Sequence, residues 1–320
     1  MKAIKTDNLR IAMAQIAPVW LKRDETIAKM LVFIEQAADE NCNLVVFGEA
    51  LLPGYPYWIE RTDGARFNSK IQKELHAWYM KEAVQIEAGH LDKLCELSAK
   101  RNIAIVSGTI ECPNDRGGHS LYCSMVYIDE NGLIKNVHRK LQPTYEERLS
   151  WSPGDGHGLR VQQLGDFTVG GLNCWENWMP LSRSALYAQG EDLHLAIWPG
   201  GVQNTIDTTP FLAKEGRSYV AGVSGLMRKS DIPDDIPHAD LIREKSQEIL
   251  ANGGSCLAAP TGEWIIEPCI NEEKLIIADI DHKLIREERQ NFDPAGHYSR
   301  PDVTQLIVNR QRPGIVRFED

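Results

Sequence analysis

The sequence predicts a mixed α/β protein in which sheets are covered by helices within one domain. Three observations carry that prediction. Short apolar runs alternate with amphipathic stretches along most of the 320 residues. Some neighbouring strand-like runs are joined by turn signals, as in hairpins, whereas others are separated by helix-length segments, as in β–α units. No internal repeat, low-complexity segment or linker divides the chain. Residues 1–296 are therefore read as the folded domain, and 297–320 as a tail.

The elements follow in order. LRIAMAQIAPV (9–19) reads as a strand. Residues 25–39 place Ile27, Met30, Leu31, Ile34 and Ala38 at helical spacing, with Asp24 or Glu25 near the start. NLVVFGE (43–49) is a short buried strand ending at an acid. Residues 89–101 put Leu91, Leu94, Cys95 and Ser98 on one helical face, which predicts core packing for Cys95. NIAIVSGTI (102–110) is a strand. LYCSMVYID (121–129) and GLIKNVHRK (132–140) flank Asn131-Gly132, a hairpin turn signal. DFTVGGLNC (166–174) is a strand. Residues 180–190 form a helix with Pro180 in its first turn and Gly190 as its stop. LHLAIWPG (193–200) is a strand, 210–219 a helix and 219–227 a strand. Residues 255–268 make a second hairpin around Thr261-Gly262, 274–281 the last core strand, and 282–291 a charged helix. Two irregular inserts remain, 53–70 and 228–250, and the second is a candidate surface loop or lid. The tail contains the apolar stretches TQLIV and GIVRF, which predicts packing on its own body or at a subunit interface.

Composition excludes several classes. Hydrophobic residues make up 42% and charged residues 25%, enough for a sizeable core. The net charge of −10 argues against a nucleic-acid partner, which requires a basic face. No run approaches the roughly 18 apolar residues that span a bilayer, and the N-terminus carries no signal-peptide pattern. Seven cysteines with no C-x-x-C pair fit neither a disulfide framework nor a zinc site. A reducing, cytoplasmic setting is expected. GVSG (222–225) misses the G-x-S-x-G spacing, and GDGHG (154–158) is a loop, not a dinucleotide cradle.

In GLNCWENW (171–178), Cys174 ends an apolar strand shortly before a helix. A nucleophile at such a turn is exposed at the sheet's edge, where backbone N–H groups meet a developing oxyanion. Free cysteines are equally at home as inert core residues, and this segment alone does not decide between the two. Glu49 and Lys140 also end strands, and Glu146 and Glu147 follow in PTYEERLSW. Each of these is individually compatible with a solvated strand end or polar loop. Together they supply what a thiol with a reference pKa of about 8.5 lacks at neutral pH: a base and a nearby positive charge. Tyr55, Trp198 and Pro199 stand at strand ends and are candidates for a pocket wall, or for packing.

FGEALLPGYP (47–56), HRKLQPTYEERLSW (138–151) and GLNCWENWMPL (171–181) resemble the three signature blocks of the nitrilase, or carbon–nitrogen hydrolase, superfamily, in the same order. The resemblance runs from about residue 8 to about 295. It implies an α-β-β-α sandwich, with Glu49 as general base, Lys140 as charge stabiliser and Cys174 as nucleophile. It also implies that Glu147, not Glu146, orients the lysine, and that the backbone N–H of Trp175 assists. HRKLQPT, CWEN followed by WMPL, AIWPG (196–200) and MRKSDIP (227–233) are closer to nitrilases than to amidases, which more often carry Tyr and Asp after the cysteine. The implied substrate is a small nitrile, with no metal or organic cofactor. The implied assembly is a homo-oligomer, a dimer or larger spiral. An amidase on the same scaffold and a non-catalytic assembling scaffold are the rival expectations.

Overall fold

The computed structural model describes residues 7–314, Val316 and Glu319. The first half of the chain forms β1 (Asn8–Gln15), α1 (Arg23–Asp39), β2 (Leu44–Phe47), α2 (Trp58–Arg61), α3 (Lys70–Glu82), α4 (Asp92–Arg101), β3 (Ala104–Glu111), β4 (Tyr122–Ile128) and β5 (Ile134–Arg139). The second half forms β6 (Gln162–Leu164), β7 (Phe167–Asn173), α5 (Pro180–Tyr187), β8 (Leu193–Trp198), α6 (Thr208–Gly216), β9 (Tyr219–Ser224), β10 (Leu226–Arg228), α7 (Ala239–Lys245), β11 (Ile249–Ala258), β12 (Trp264–Ile270), β13 (Lys274–Asp281) and α8 (His282–Glu288).

These strands make two sheets. One runs β13-β1-β2-β3-β4-β5; the other runs β10-β11-β9-β8-β7-β6, with β12 paired to β11. Each sheet has a parallel trio, β1–β2–β3 and β7–β8–β9. Parallel neighbours need a crossover, and the amphipathic segments between them supply it: α1 before β2, α4 before β3, α5 before β8 and α6 before β9. Strands covered on both faces read as unbroken apolar runs. LVVF of β2 is buried throughout, as is LHLAIW of β8.

The layers follow from which residue faces which way. Ile11, Met13, Val46 and Val106 of the first sheet pack against Val169, Leu195, Ile197 and Val223 of the second. The alternate residues Ala12, Val45, Phe47 and Ile105 pack under Ile27, Met30 and Ile34 of α1 and Leu94 of α4. On the far side, Leu172 meets Ala185 and Leu186 of α5, and Ala196 and Val220 meet Leu212 and Ala213 of α6. The result is the expected α-β-β-α sandwich. No helix among the described residues is long and apolar enough to cross a membrane, and all seven cysteines are free.

The structure corrects three expectations. The segment 228–250 is not a surface loop: Ile232, Ile236, Ala239 and Ile242 are buried in an aromatic-rich cluster with Trp20, Trp58 and Tyr79. The helix α3 continues directly from the first insert and was not anticipated. The strand expected over 219–227 breaks at Gly225 into β9 and β10. Of the tail, Arg312 bonds the Val137 carbonyl at 3.0 Å and lies 3.2 Å from Asp155, so this stretch lies against its own body. Ile307 is 88% exposed. Ile315, Arg317 and Phe318 of the second apolar stretch lie outside the described residues.

Close backbone approach fixes the end of β2. A Cβ on Gly108 of β3 would lie 2.0 Å from the Gly48 carbonyl oxygen and 2.6 Å from the Glu49 Cα. Gly108→Ala is therefore expected to cost about 1–3 kcal/mol, as overpacked backbone sites do. It should also lower turnover by displacing Glu49. Denaturant unfolding together with a rate assay checks both.

Candidate active site

Three strands run in the same sense and end close together. Glu49 follows β2 and Lys140 follows β5 in one sheet; Cys174 follows β7 in the other. Ligands in open α/β sheets bind beyond such carboxyl ends. The Lys140 Nζ donates to Glu49 Oε1 at 2.7 Å and to Glu147 Oε2 at 2.8 Å, and all three side chains are buried. The Cys174 sulfur and one carboxylate oxygen each from Glu49 and Glu147 lie within 4.8 Å of one another. Four residues distant in sequence thus share one chamber. The positive charge that such a donor set calls for is supplied by the Lys140 ammonium, which already bonds both carboxylates.

Local sequence positions each group. Thr144-x-x-Glu147 has capping-box spacing, and Glu147 Oε2 accepts from the Thr144 N–H at 2.6 Å. Its other oxygen accepts from the Tyr55 hydroxyl at 2.9 Å. Glu146 has no such hold: the Tyr55 hydroxyl lies 3.5 Å from it. Asn173-x-x-Glu176 is a second capping box, opening a tight turn over Cys174–Trp178. Cys174 itself adopts φ 50°, a left-handed conformation that non-glycine residues seldom hold without surrounding support.

That support comes from residues the sequence reading missed. Buried Glu176 accepts from the N–H of Asn173 at 2.9 Å and of Leu141 at 2.6 Å, and from His138 Nε2 at 3.1 Å. It therefore ties the cysteine turn to the strand end that carries Lys140. Asn177 Nδ2 donates to the Cys174 carbonyl at 2.8 Å, while its Oδ1 lies 2.7 Å from His194 Nε2. His194 in turn meets Glu191 at 2.9 Å. The Asn173-x-x-Glu176 capping-box spacing is the signal that could have marked Glu176 as structured and not solvated.

The electrostatics follow from burial. Removal from water pushes the Glu49 carboxyl up to about 7; Lys140 opposes this and Glu147 adds to it. Burial lowers Lys140, but the charges of Glu49, Cys174 and Glu147 outweigh it and hold the ammonium well above its usual range. Burial and then Glu49 push the Cys174 thiol well up, against the pull of Lys140 and the N–H of Trp175. The sulfur at rest is a thiol. Burial pushes Glu176 upward too, but His138 and the two backbone N–H groups hold it below the usual glutamate value.

The remaining candidates divide. Tyr55 and Pro199 line a narrow cleft that reaches Glu49, together with Tyr57, Leu226 and Met227. Two larger grooves border α3 and the 145–149 turn and do not reach Glu49, Lys140 or Cys174. Trp198 is fully buried and packs with Cys174, Ala196 and Leu212. The Trp175 indole is 45% exposed and stacks on Trp178 at 4.9 Å, so what Trp175 offers the chamber is its backbone N–H.

Residues 10–290 match the profile of the carbon-nitrogen hydrolase family. The chain belongs to that family. Carbon–nitrogen hydrolases therefore set its chemistry: it is a hydrolase acting on carbon–nitrogen bonds. It is 35% identical to "Nitrilase 2" of an unknown prokaryotic organism, over 98% of this chain and 96% of that one. It is 30% identical to an aliphatic nitrilase of Rhodococcus rhodochrous, over 96% and 84% of the two chains. Its fold is similar to that of a carbon-nitrogen hydrolase from Helicobacter pylori, with a TM-score of 0.70, 20% identity, and 92% and 96% coverage.

The buried cation generates a stability prediction. Lys140→Met leaves Glu49 and Glu147 facing each other without a counter-charge. Breaking a buried pair in this way costs about 3–5 kcal/mol. Glu49, already raised, would then lose the cation that opposes the rise and be pushed further up, so the loss should be full above neutral pH and shrink as acid protonates it. Denaturant unfolding at pH 5 and pH 8 measures the difference.

Proposed function

We propose that this carbon–nitrogen hydrolase converts an organic nitrile to the carboxylic acid and ammonia by covalent catalysis at Cys174. The observation that carries the reading is the Lys140 ammonium held between Glu49 and Glu147 beside a buried thiol. The names of its nitrilase relatives, at 30–35% identity over nearly the whole chain, favour a nitrile over an amide.

Glu49 takes the thiol proton as sulfur adds to the nitrile carbon, and the nitrogen is protonated to give a thioimidate. Glu49, its pKa near 7, is matched to accept and return a proton at neutral pH. Lys140 and the Trp175 N–H stabilise negative charge on the attacked group. Water adds to the thioimidate carbon, with Glu49 as base, to give a tetrahedral intermediate. The C–N bond breaks as Glu49 returns a proton to nitrogen; ammonia leaves and an acyl thioester remains. A second water adds, the C–S bond breaks, and the acid and the thiol are released. The sum is one nitrile and two waters to one acid and one ammonia.

Glu147, itself held by the Tyr55 hydroxyl, keeps Lys140 in place, and Tyr55 and Pro199 form part of the wall on which the nitrile's substituent rests. The exposed Leu306 and Ile307 of the tail support contact with a second subunit in a homo-oligomer.

A panel of nitriles and amides, scored for ammonia, acid and amide, is the test. Nitriles should yield acid and ammonia; turnover of amides alone would overturn the reading. Cys174→Ala should lower turnover by roughly a thousandfold or more. The acid limb of kcat/KM should fall near pH 7. A carboxyl whose pKa is raised is ionised only above that value, so the rate drops roughly tenfold per unit below it. A limb near pH 4 would mean that the base is not Glu49.

A further inference from the structure

The two oxygens of Glu49 are not equivalent. Oε1 meets the Lys140 Nζ at 2.7 Å and the Cys123 sulfur at 3.4 Å. Oε2 is equally enclosed and has no hydrogen-bond partner among the described residues. Orphaned buried oxygens are costly, and one beside a reacting group asks for an explanation.

Cys123 lies in β4, opposite Ile110 of β3, and is buried. Its carbonyl oxygen accepts the Lys140 N–H at 2.7 Å. One residue therefore touches the lysine through its backbone and the glutamate through its side chain. Its apolar neighbours include Ala50, Ile110 and Leu121, so packing alone would be served by alanine or valine. What sulfur adds is an S–H donor. Burial first, and then the Glu49 charge, push this thiol well up, which keeps its proton on.

We propose that Cys123 is a positioning residue for the hydrolysis: its S–H fixes Oε1 of Glu49 and leaves Oε2 as the oxygen that takes the Cys174 proton. This rests on the reading of Glu49 as the base. A carboxylate with both oxygens free to rotate would present either one to the thiol. With Oε1 held on two sides, the unshared lone pairs are confined to Oε2. A donor to the carboxylate also favours its charged form and lowers its pKa. Removing that donor moves the acid limb of the rate profile to higher pH. The other groups facing Glu49 stay unchanged: Lys140 after β5, Glu147 in the following turn, Cys174 after β7, Tyr55 and Tyr57 after β2, and Tyr79 on α3.

The experiment compares the full chain with Cys123→Ser, Cys123→Ala and Cys123→Val, on whichever substrate of the panel the unaltered chain turns over best. Circular dichroism melts establish folding. Alanine and valine, which cannot donate, should raise the acid limb by about half a pH unit. They should lower kcat about threefold to tenfold with little change in KM. Serine keeps a donor and should return the limb to that of the unaltered chain. An unmoved limb in the alanine and valine variants overturns the proposal, as does an equal shift with serine. So does a chain that folds with serine but with neither alanine nor valine, because the donor is then a requirement of the fold and not a device that positions the base. Glu49→Gln separates this from the parent reading. If it leaves turnover intact, Glu49 is not the base; if it abolishes turnover while the Cys123 variants behave like the unaltered chain, only the present proposal fails.

Discussion

A single ammonium between two carboxylates, all three buried, is the constraint on which the rest depends. Taking three charges out of water is unfavourable by several kcal/mol per ion unless they meet in good geometry. Here the contacts are 2.7 and 2.8 Å, and the second glutamate gains further hydrogen bonds from Thr144 and Tyr55. The cluster is tolerable only if β2, β5 and the turn after β5 arrive together. The fold thus has one register in which these charges are satisfied. It also leaves an uncompensated negative charge beside Cys174. Burial first, and then that charge, push the Cys174 thiol well above its usual range.

The second sheet answers the first. Strand ends from both layers meet at one edge, with Glu49 after β2 and Lys140 after β5 on one sheet and Cys174 after β7 on the other. Cys174 stands at φ 50° at the handover from strand to turn. Such a conformation persists only when its surroundings over-determine it. Glu176 and Asn177 do this from opposite sides, one anchored to Leu141 and His138, the other to Cys174 and His194. Because Leu141 directly follows Lys140, the left-handed turn at Cys174 and the position of the lysine are held by the same carboxylate.

How far the sequence reveals this depends on the range of the interaction. β2 is legible because a strand covered on both faces is uniformly apolar, and the turn at Asn131-Gly132 because its chemistry is local. Pro180 and the helix it opens are local too. Glu49, Lys140 and Cys174 are visible as strand ends, but only their joint resemblance to a family made them a site. Glu176 was not recognised because an acid after a strand looks solvated; only the folded chain brings His138 and Leu141 to it. The second insert was misread for the same reason. Trp58 and Tyr79 on one side, and Ile232, Ile236 and Ile242 on the other, have no strong local period. They become a core only by packing on each other.

That mutual packing decides how the chamber communicates with solvent. A segment with its apolar residues buried against aromatic rings is a fixed wall, because opening it would expose them to water at about 25 cal/mol per Å². A narrow cleft of about 10 Å³ between Tyr55 and Tyr57 on one side and Leu226 and Met227 on the other reaches Glu49. Glu49 is the only charged group lining it. The same dry walls strengthen the pull of Lys140 on charge that develops during reaction. Burial of the Lys140 cluster and packing of the segments around Trp58 and Ile232 are therefore parts of one arrangement.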